Sequence, residues 1–138
     1  MYKNILVPVD LDHGDMGEQT LLLARHIGGP DARITLLAVT EPVSGALMSH
    51  VPREALEAHD KDLRVRLQAL AHEADDAATV MVRHGNPAET ILDEAGIMSA
   101  DAIVLGPHKP KLRNLLGSTA ARVARHASCS VVIDRTSL

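Results

Sequence analysis

Five short apolar runs, each separated from the next by a segment of helical periodicity, constrain this chain more than any other feature. The runs are residues 5–9 (ILVPV), 34–39 (ITLLAV), 79–82 (TVMV), 102–105 (AIVL) and 130–133 (SVVI). Near-continuous apolar character over four to six residues is the mark of a strand buried on both faces. Pro8 is tolerated near the carboxyl end of its run, where the ladder stops and a loop begins. Between the runs, Met16, Thr20, Leu23, Ala24 and Ile27 share one helical face, closed by Gly28 and Gly29. Leu56, Leu63, Leu67, Leu70 and Ala74 mark a long helix entered near Pro52. Asn86-Pro87-Ala88-Glu89 is a helix start, with Asn as N-cap, Pro at the first position and Glu closing a capping box. Ala88, Ile91, Leu92 and Ala95 then face inward, and Ala120, Val123, Ala124 and Ala127 do so in the last helix. Strands alternating with helices predict a doubly wound α/β fold: a five-stranded parallel sheet with helices on both faces. At 138 residues, the expectation is one domain over residues 1–138, without internal repeats. Residues 43–51 are the least patterned and read as a mobile surface loop.

Composition removes several function classes. With no Phe, no Trp and one Tyr, the core must be built from aliphatic side chains. The same lack removes the stacking platforms of single-stranded nucleic-acid binders, and a formal net charge of −4 does not suit a nucleic-acid partner. No apolar run reaches the roughly 20 residues of a membrane span. The apolar segment after Asn4 is too short for a signal-peptide core. Cys129 is the single cysteine, so no intramolecular disulfide forms, and it reads as a small buried hydrophobe. The expectation is a soluble cytoplasmic protein with no membrane partner. Charge is unevenly placed: residues 1–105 carry 8 basic and 17 acidic side chains, residues 106–138 carry 6 and 1. A basic final quarter on an acidic chain suits either an anionic ligand or a solvated helix face.

Ligands of open parallel sheets bind beyond the carboxyl ends of the strands, at the topological switch point. Asp10 follows the first strand, Val39-Thr40 the second, His84-Gly85 the third and Gly106-Pro107-His108 the fourth. The loop from Gly106 carries Lys109, Lys111 and Arg113 and closes on Gly117-Ser118-Thr119, where a helix begins. Unpaired amides at a helix start, with two hydroxyls and nearby basic residues, form an anion site suited to a polyphosphate. The plainer alternative is that Ser118 or Thr119 simply caps the helix.

Other readings are excluded by residue pattern. There is no G-x-x-x-x-G-K-[ST] phosphate loop, and Asp10-Leu11-Asp12-His13-Gly14-Asp15 stands where a dinucleotide G-x-G-x-x-G would be. Asp10, Asp12 and Asp15 cluster as candidate Mg²⁺ ligands, but Asp10 is better placed for a ribose hydroxyl or a metal-bound water. Asp12 and Asp15 read as loop solvation or helix caps. A phosphoacceptor receiver needs an Asp at the end of the third strand and a later Lys; here that strand ends Arg83-His84-Gly85 and no Lys follows Lys111. The eight His show no metal-ligand spacing. His26, His50, His59 and His72 read as exposed, while His84 and His108 stand at strand ends near the proposed site.

Taken together, residues 5–10 (ILVPVD), 85–91 (GNPAETI), Gly106 and 117–127 (GSTAARVARHA) resemble the universal stress protein family, in order and over essentially the whole chain. Many members of that family bind ATP through a G-x-x-G-x(9)-G-[ST] motif. The resemblance implies that Pro8, Val9 and Asp10 flank the adenosine, with Asp10 on the ribose and Val39 against the adenine. It implies Gly106 at the ribose and phosphates, and Gly117, Ser118 and Thr119 at the phosphates, with His108 and Lys109 in the intervening loop. The chain departs from the motif in two ways. Lys109 stands at the second Gly, and ten residues separate Gly106 from Gly117 where the motif has twelve. Lys109 can block close backbone approach or itself contact phosphate.

The expected function is binding of an adenine nucleotide, ATP with Mg²⁺ carried by the nucleotide, as a regulatory ligand. No catalytic residue and no protein-held metal is assigned; slow hydrolysis or autophosphorylation at Ser118 or Thr119 is what the resemblance allows. The alternative is a nucleotide-free homodimeric scaffold presenting Lys109, Lys111 and Arg113 to a protein partner. The last strand, residues 130–134 from Ser130 to Asp134, is expected at a sheet edge, where antiparallel pairing across a two-fold axis would cover it. The family resemblance implies such a homodimer as well.

Overall fold

A computed structural model of the protein describes residues 1–14, 17–41, 51–106 and 117–135. The strands are β1 (Asn4–Pro8), β2 (Arg33–Thr40), β3 (Thr79–His84), β4 (Ala102–Leu105) and β5 (Ser130–Ile133). All four pairings are parallel, in the order β3-β2-β1-β4-β5. The helices are α1 (Glu18–Gly28), α2 (Arg53–Glu73), α3 (Pro87–Ile97) and α4 (Ser118–His126), with a short 3₁₀ turn at Leu11–His13.

Alternation along each strand sorts the core into two layers. Ile5, Val7, Val9, Ile34, Leu36 and Val104 face α1 and α2, where Leu21, Ala24, Leu63, Leu67 and Leu70 meet them. Leu6, Leu37, Ile103 and Leu105 face α3 and α4, represented by Ala88, Ile91, Ala95 and Val123. Helices therefore cover both faces, as the alternation of runs predicts. The winding direction reverses at β1: the chain lays β2 and β3 on one side, then returns to place β4 and β5 on the other.

The structure corrects several local expectations. Leu21 joins Thr20 and Ala24 as a buried position of α1, while Leu23 and Ile27 only pack against the core margin; Met16 lies outside the described residues. In α4 only Val123 is fully buried, with Ala120 and Ala127 beside it, and Ala124, at the margin of that stripe, is exposed. Cys129 is half-buried rather than buried. Gly28 ends α1 where a Cβ would stand 2.6 Å from the Ala32 Cβ and 2.8 Å from the Ile5 Cδ1, so the helix end approaches β1 closely only because a glycine is there.

The amino ends of the strands are held by polar ties. Arg25, at the end of α1, donates from Nε and Nη2 to the two Asp76 carboxylate oxygens at 2.9 and 2.7 Å. Its Nη1 donates to the Ala32, Gly29 and Pro30 carbonyls at 2.7, 3.0 and 3.3 Å. Asp76 also accepts from the Ala78 amide at 2.9 Å. The Asp101 carboxylate accepts from the Lys3 and Asn4 amides at 2.7 and 3.1 Å, so β1 and β4 start in fixed register. Hydrogen bonding to Arg25 holds the Asp76 carboxyl below its ordinary range, outweighing the opposing effect of burial. A depressed folded value means the stabilisation is present above the ordinary carboxylate range and is lost as pH falls through the folded value. Asp76→Ala is expected to cost roughly 2–3 kcal/mol in chemical denaturation near neutral pH, the scale of charge-assisted hydrogen bonds. The wild-type advantage over that variant should shrink below about pH 4; an advantage that does not change with acid would remove Asp76 as its source.

Candidate functional site

The reversal at β1 shapes the carboxyl end of the sheet. On one side β1 stays paired with β2 through Pro8↔Leu37, and the Val9 amide continues to the Leu37 carbonyl at 2.8 Å. On the other side its register with β4 runs Ile5↔Ala102 and Leu6↔Ile103, after which β4 goes on alongside β5 through Leu105↔Ile133. Beyond Leu6 and Ile103 the β1–β4 register ends, and Pro8-Val9-Asp10 and Gly106 stand on the two sides of the switch point, where open parallel sheets have their crevice. Pro8, which has no amide hydrogen, sits in β1 past the end of the β4-side ladder.

Val9 is buried and Asp10 exposed, so the chain passes from core to solvent at this point. Gly17, the N-cap of α1, adopts a left-handed conformation (φ +74), where a Cβ would meet Leu70 Cδ2 at 2.8 Å and Val9 Cγ1 at 3.0 Å. Across the crevice, half-buried Gly106 follows β4. The N-cap of α4 is Gly117, so neither Ser118 nor Thr119 is the cap; they occupy the first two helical positions, Ser118 exposed and Thr119 half-buried. The first turn of α4 carries no acidic residue, and its last turn carries Arg125 and His126. That charge pattern leaves the positive end of the helix dipole uncompensated. Arg122 donates to Glu89 Oε1 at 2.9 Å, tying α4 to the start of α3. The capping box at Asn86 is thus half formed as expected: Asn86 Oδ1 accepts from the Glu89 amide at 3.1 Å, while the Glu89 carboxylate serves Arg122.

Val39 lies half-buried near the end of β2, on the far side of β1 from Gly106. Pro8, Val9, Asp10, Val39, Gly106, Gly117, Ser118 and Thr119 therefore all belong to the carboxyl end of the sheet or to a helix start. His108 and Lys109, with Lys111 and Arg113, lie outside the described residues, as do Asp15, His50 and most of the 43–51 loop. Among the described residues no group of three or more His, Cys, Asp or Glu side chains could hold a metal ion. Asp12, read from sequence as solvation or a cap, is exposed and also meets His59 of α2, Oδ2 to Nε2 at 3.3 Å. His26 and His72 are exposed as expected. Burial, then the nearby Asp101 charge, push the Cys129 thiol up, which suits a packing role rather than a nucleophile.

Sequence reasoning missed Asp60. Its carboxylate meets His84 Nε2 at 2.8 Å, and His84 Nδ1 in turn meets the Thr40 hydroxyl at 2.5 Å. The available signal was length. The 21 residues of α2 span about 31 Å, against about 20 Å for the six residues of β3, so the first turns of α2 must overhang the carboxyl end of the sheet. Burial agrees: the fully buried positions of α2 begin only at Leu63.

Comparison with known proteins agrees with this architecture. The family model described as "Universal stress protein family" matches residues 1–135. Universal stress protein G of Escherichia coli O157:H7 is 31% identical over 150 residues, covering 98% of this chain and all of the relative. The solved structure of universal stress protein UspA from Lactobacillus plantarum superposes with a TM-score of 0.72 at 32% identity, covering 97% of this chain and 98% of that one. Two more distant neighbours share the fold. One, from Archaeoglobus fulgidus, was solved in complex with dAMP (TM-score 0.62, 21% identity, 96% and 97% coverage). The other is a universal stress protein in complex with cAMP (TM-score 0.65, 22% identity, 99% coverage of both chains).

Gly17→Ala tests whether the start of α1 packs on Leu70 and Val9 as tightly as the distances imply. The positive φ and the contact with Leu70 should together cost roughly 1–3 kcal/mol in denaturant unfolding; wild-type stability would mean that Leu70 and Val9 yield freely.

Proposed function

The chain belongs to the universal stress protein family, and on that premise we propose that it binds an adenine nucleotide, ATP with Mg²⁺, as a regulatory ligand. The observation that carries this reading is the end of the β1–β4 register at Leu6 and Ile103, which puts Pro8-Val9-Asp10 and Gly106 on the two sides of the switch point of the sheet. Asp10 is the ribose partner in this reading, with Pro8 and Val9 beside the adenosine, Val39 against the adenine and Gly106 at the ribose and phosphates. Gly117, Ser118 and Thr119 offer first-turn amides and hydroxyls to the phosphates, with no acidic side chain in that turn to oppose them. His108 and Lys109 complete the set from the intervening loop. Two neighbours of the fold, solved with dAMP and with cAMP, support the adenine class. In this reading Mg²⁺ is carried by the phosphates.

A helix-start cradle binds the ground state of a polyphosphate without needing to hydrolyse it. The ligand is therefore read as a signal whose occupancy matters, in a cytoplasmic protein folded as one domain. Calorimetric titration with Mg-ATP, preceded by chromatography of nucleotides released from protein purified without added ligand, tests the reading. Saturable micromolar binding or co-purifying adenine nucleotide is expected. Asp10→Ala or Ser118→Ala should each weaken Mg-ATP by about 1–3 kcal/mol, the scale of a charge-assisted hydrogen bond. No nucleotide and no heat would end the nucleotide reading.

The edge of the sheet favours a second reading of how the chain acts, as a homodimeric scaffold. Among the described residues β5 pairs only with β4, and Val131, Val132 and Ile133 remain half-exposed there. An apolar edge of this kind is covered by pairing with a second copy through residues 130–134, from Ser130 to Asp134. Sedimentation at micromolar concentration is expected to show twice the 14.8 kDa protomer mass; a single 14.8 kDa species would exclude the dimer.

A further inference from the structure

One polar chain among the described residues is not used by the nucleotide reading as it stands. Thr40 ends β2, one residue beyond Val39, and is buried. Its hydroxyl meets His84 Nδ1 at 2.5 Å, and His84 Nε2 meets Asp60 Oδ2 at 2.8 Å. A carboxylate only accepts, so in the neutral imidazole Nε2 carries the proton and Nδ1 accepts from Thr40. The chain links three elements: the end of β2, the end of β3, where His84 is in register with Thr40, and the overhanging part of α2.

Further contacts converge on this junction. The Gly85 amide donates to the Thr40 carbonyl at 2.9 Å. Arg83, one residue before His84 and pointing to the opposite face, donates to Glu94 of α3 at 2.9 Å. The end of β3 is thereby tied to one helix layer through Arg83 and to the other through His84. On α2, His59 stands beside Asp60 and reaches Asp12, in the turn that follows Asp10. Two consecutive residues of the overhang thus hold the ends of β1 and β3, with Val39 on the strand between them.

We propose that Thr40, His84 and Asp60 act together as a positioning element for the base half of the nucleotide, fixing the end of β2 against which the adenine rests. This rests on the adenine-nucleotide reading above. None of the three is assigned a contact with the ligand; they act through the backbone at Val39. The assignment to the base half follows from the order of the sheet. β2 and β4 flank β1, so their ends are at least two strand spacings apart, roughly 10 Å or more. The phosphate-side groups, Gly106 and the start of α4, belong to the β4 side. A device that holds β2 should therefore act on the nucleoside and leave the phosphates alone. Placement of such a wall matters because binding groups held in advance do not have to be ordered by the ligand.

Calorimetric titration of the full chain with adenosine, with Mg-ATP and with tripolyphosphate separates the two halves of the site. Thr40→Val removes the hydroxyl at nearly constant volume, Asp60→Ala removes the far end of the chain, and Thr40→Ser retains the hydroxyl. Thr40→Val and Asp60→Ala are expected to weaken adenosine and Mg-ATP by the same factor, roughly fivefold, the scale of one hydrogen bond. Tripolyphosphate affinity should not move, and Thr40→Ser should bind as wild type does. Wild-type adenosine affinity in Thr40→Val and Asp60→Ala would overturn the proposal. So would a proportionate loss of tripolyphosphate, which is what a purely structural role produces. Wild-type protein that binds neither adenosine nor Mg-ATP would instead fail the nucleotide reading, before any substitution is made, and the positioning role with it.

Discussion

The carboxyl end of this sheet depends on one constraint: β1 is paired to different heights on its two sides. β2 follows it to Pro8 and the Val9 amide, whereas β4 leaves it after Leu6 and continues with β5. Backbone groups that lose a ladder partner must find water, another chain segment or a ligand. Pro8 lowers that demand because it has no amide hydrogen to satisfy. The crevice is thus a consequence of strand order: a sheet wound in one direction throughout would have no strand whose two neighbours arrive from opposite ends of the chain.

The absence of Phe and Trp has a structural counterpart in how closely the backbone elements approach. With branched aliphatic side chains filling both layers, gaps are closed by bringing elements together at glycines. Gly28 lets α1 meet β1, and Gly17 lets the start of α1 rest on Leu70 and Val9. A core of this kind relies on shape rather than on a few large anchors.

Much of the fold was legible because it is carried by the residue types that burial selects. The five apolar runs became the five strands, and only their polar ends were misjudged. β3 extends through Arg83 and His84, whose side chains are taken up by Glu94 and Asp60 instead of ending the ladder. The helix start at Asn86 was legible from its cap chemistry, but the use of the Glu89 carboxylate by Arg122 was not, since Arg122 lies 33 residues away. Asp60 was hidden for a related reason. On a helix as highly charged as α2, nothing in the local pattern separates a solvated carboxylate from one that reaches a strand end. Of the candidate site, the strand-end positions and the helix start follow from topology, because parallel winding brings them to one end of the sheet. The polar connections between those positions are long-range and leave no periodic trace.

The Arg25 fork has a consequence for how the molecule can change over generations. It gathers Asp76 and three carbonyls at the amino ends of the strands, far from the switch point, and Asp101 fastens β1 to β4 at that same end. One set of ties is thereby gathered at the pole opposite the proposed site. A chain divided in this way can shorten a loop at its opposite pole, as between Gly106 and Gly117, without forfeiting its foundation.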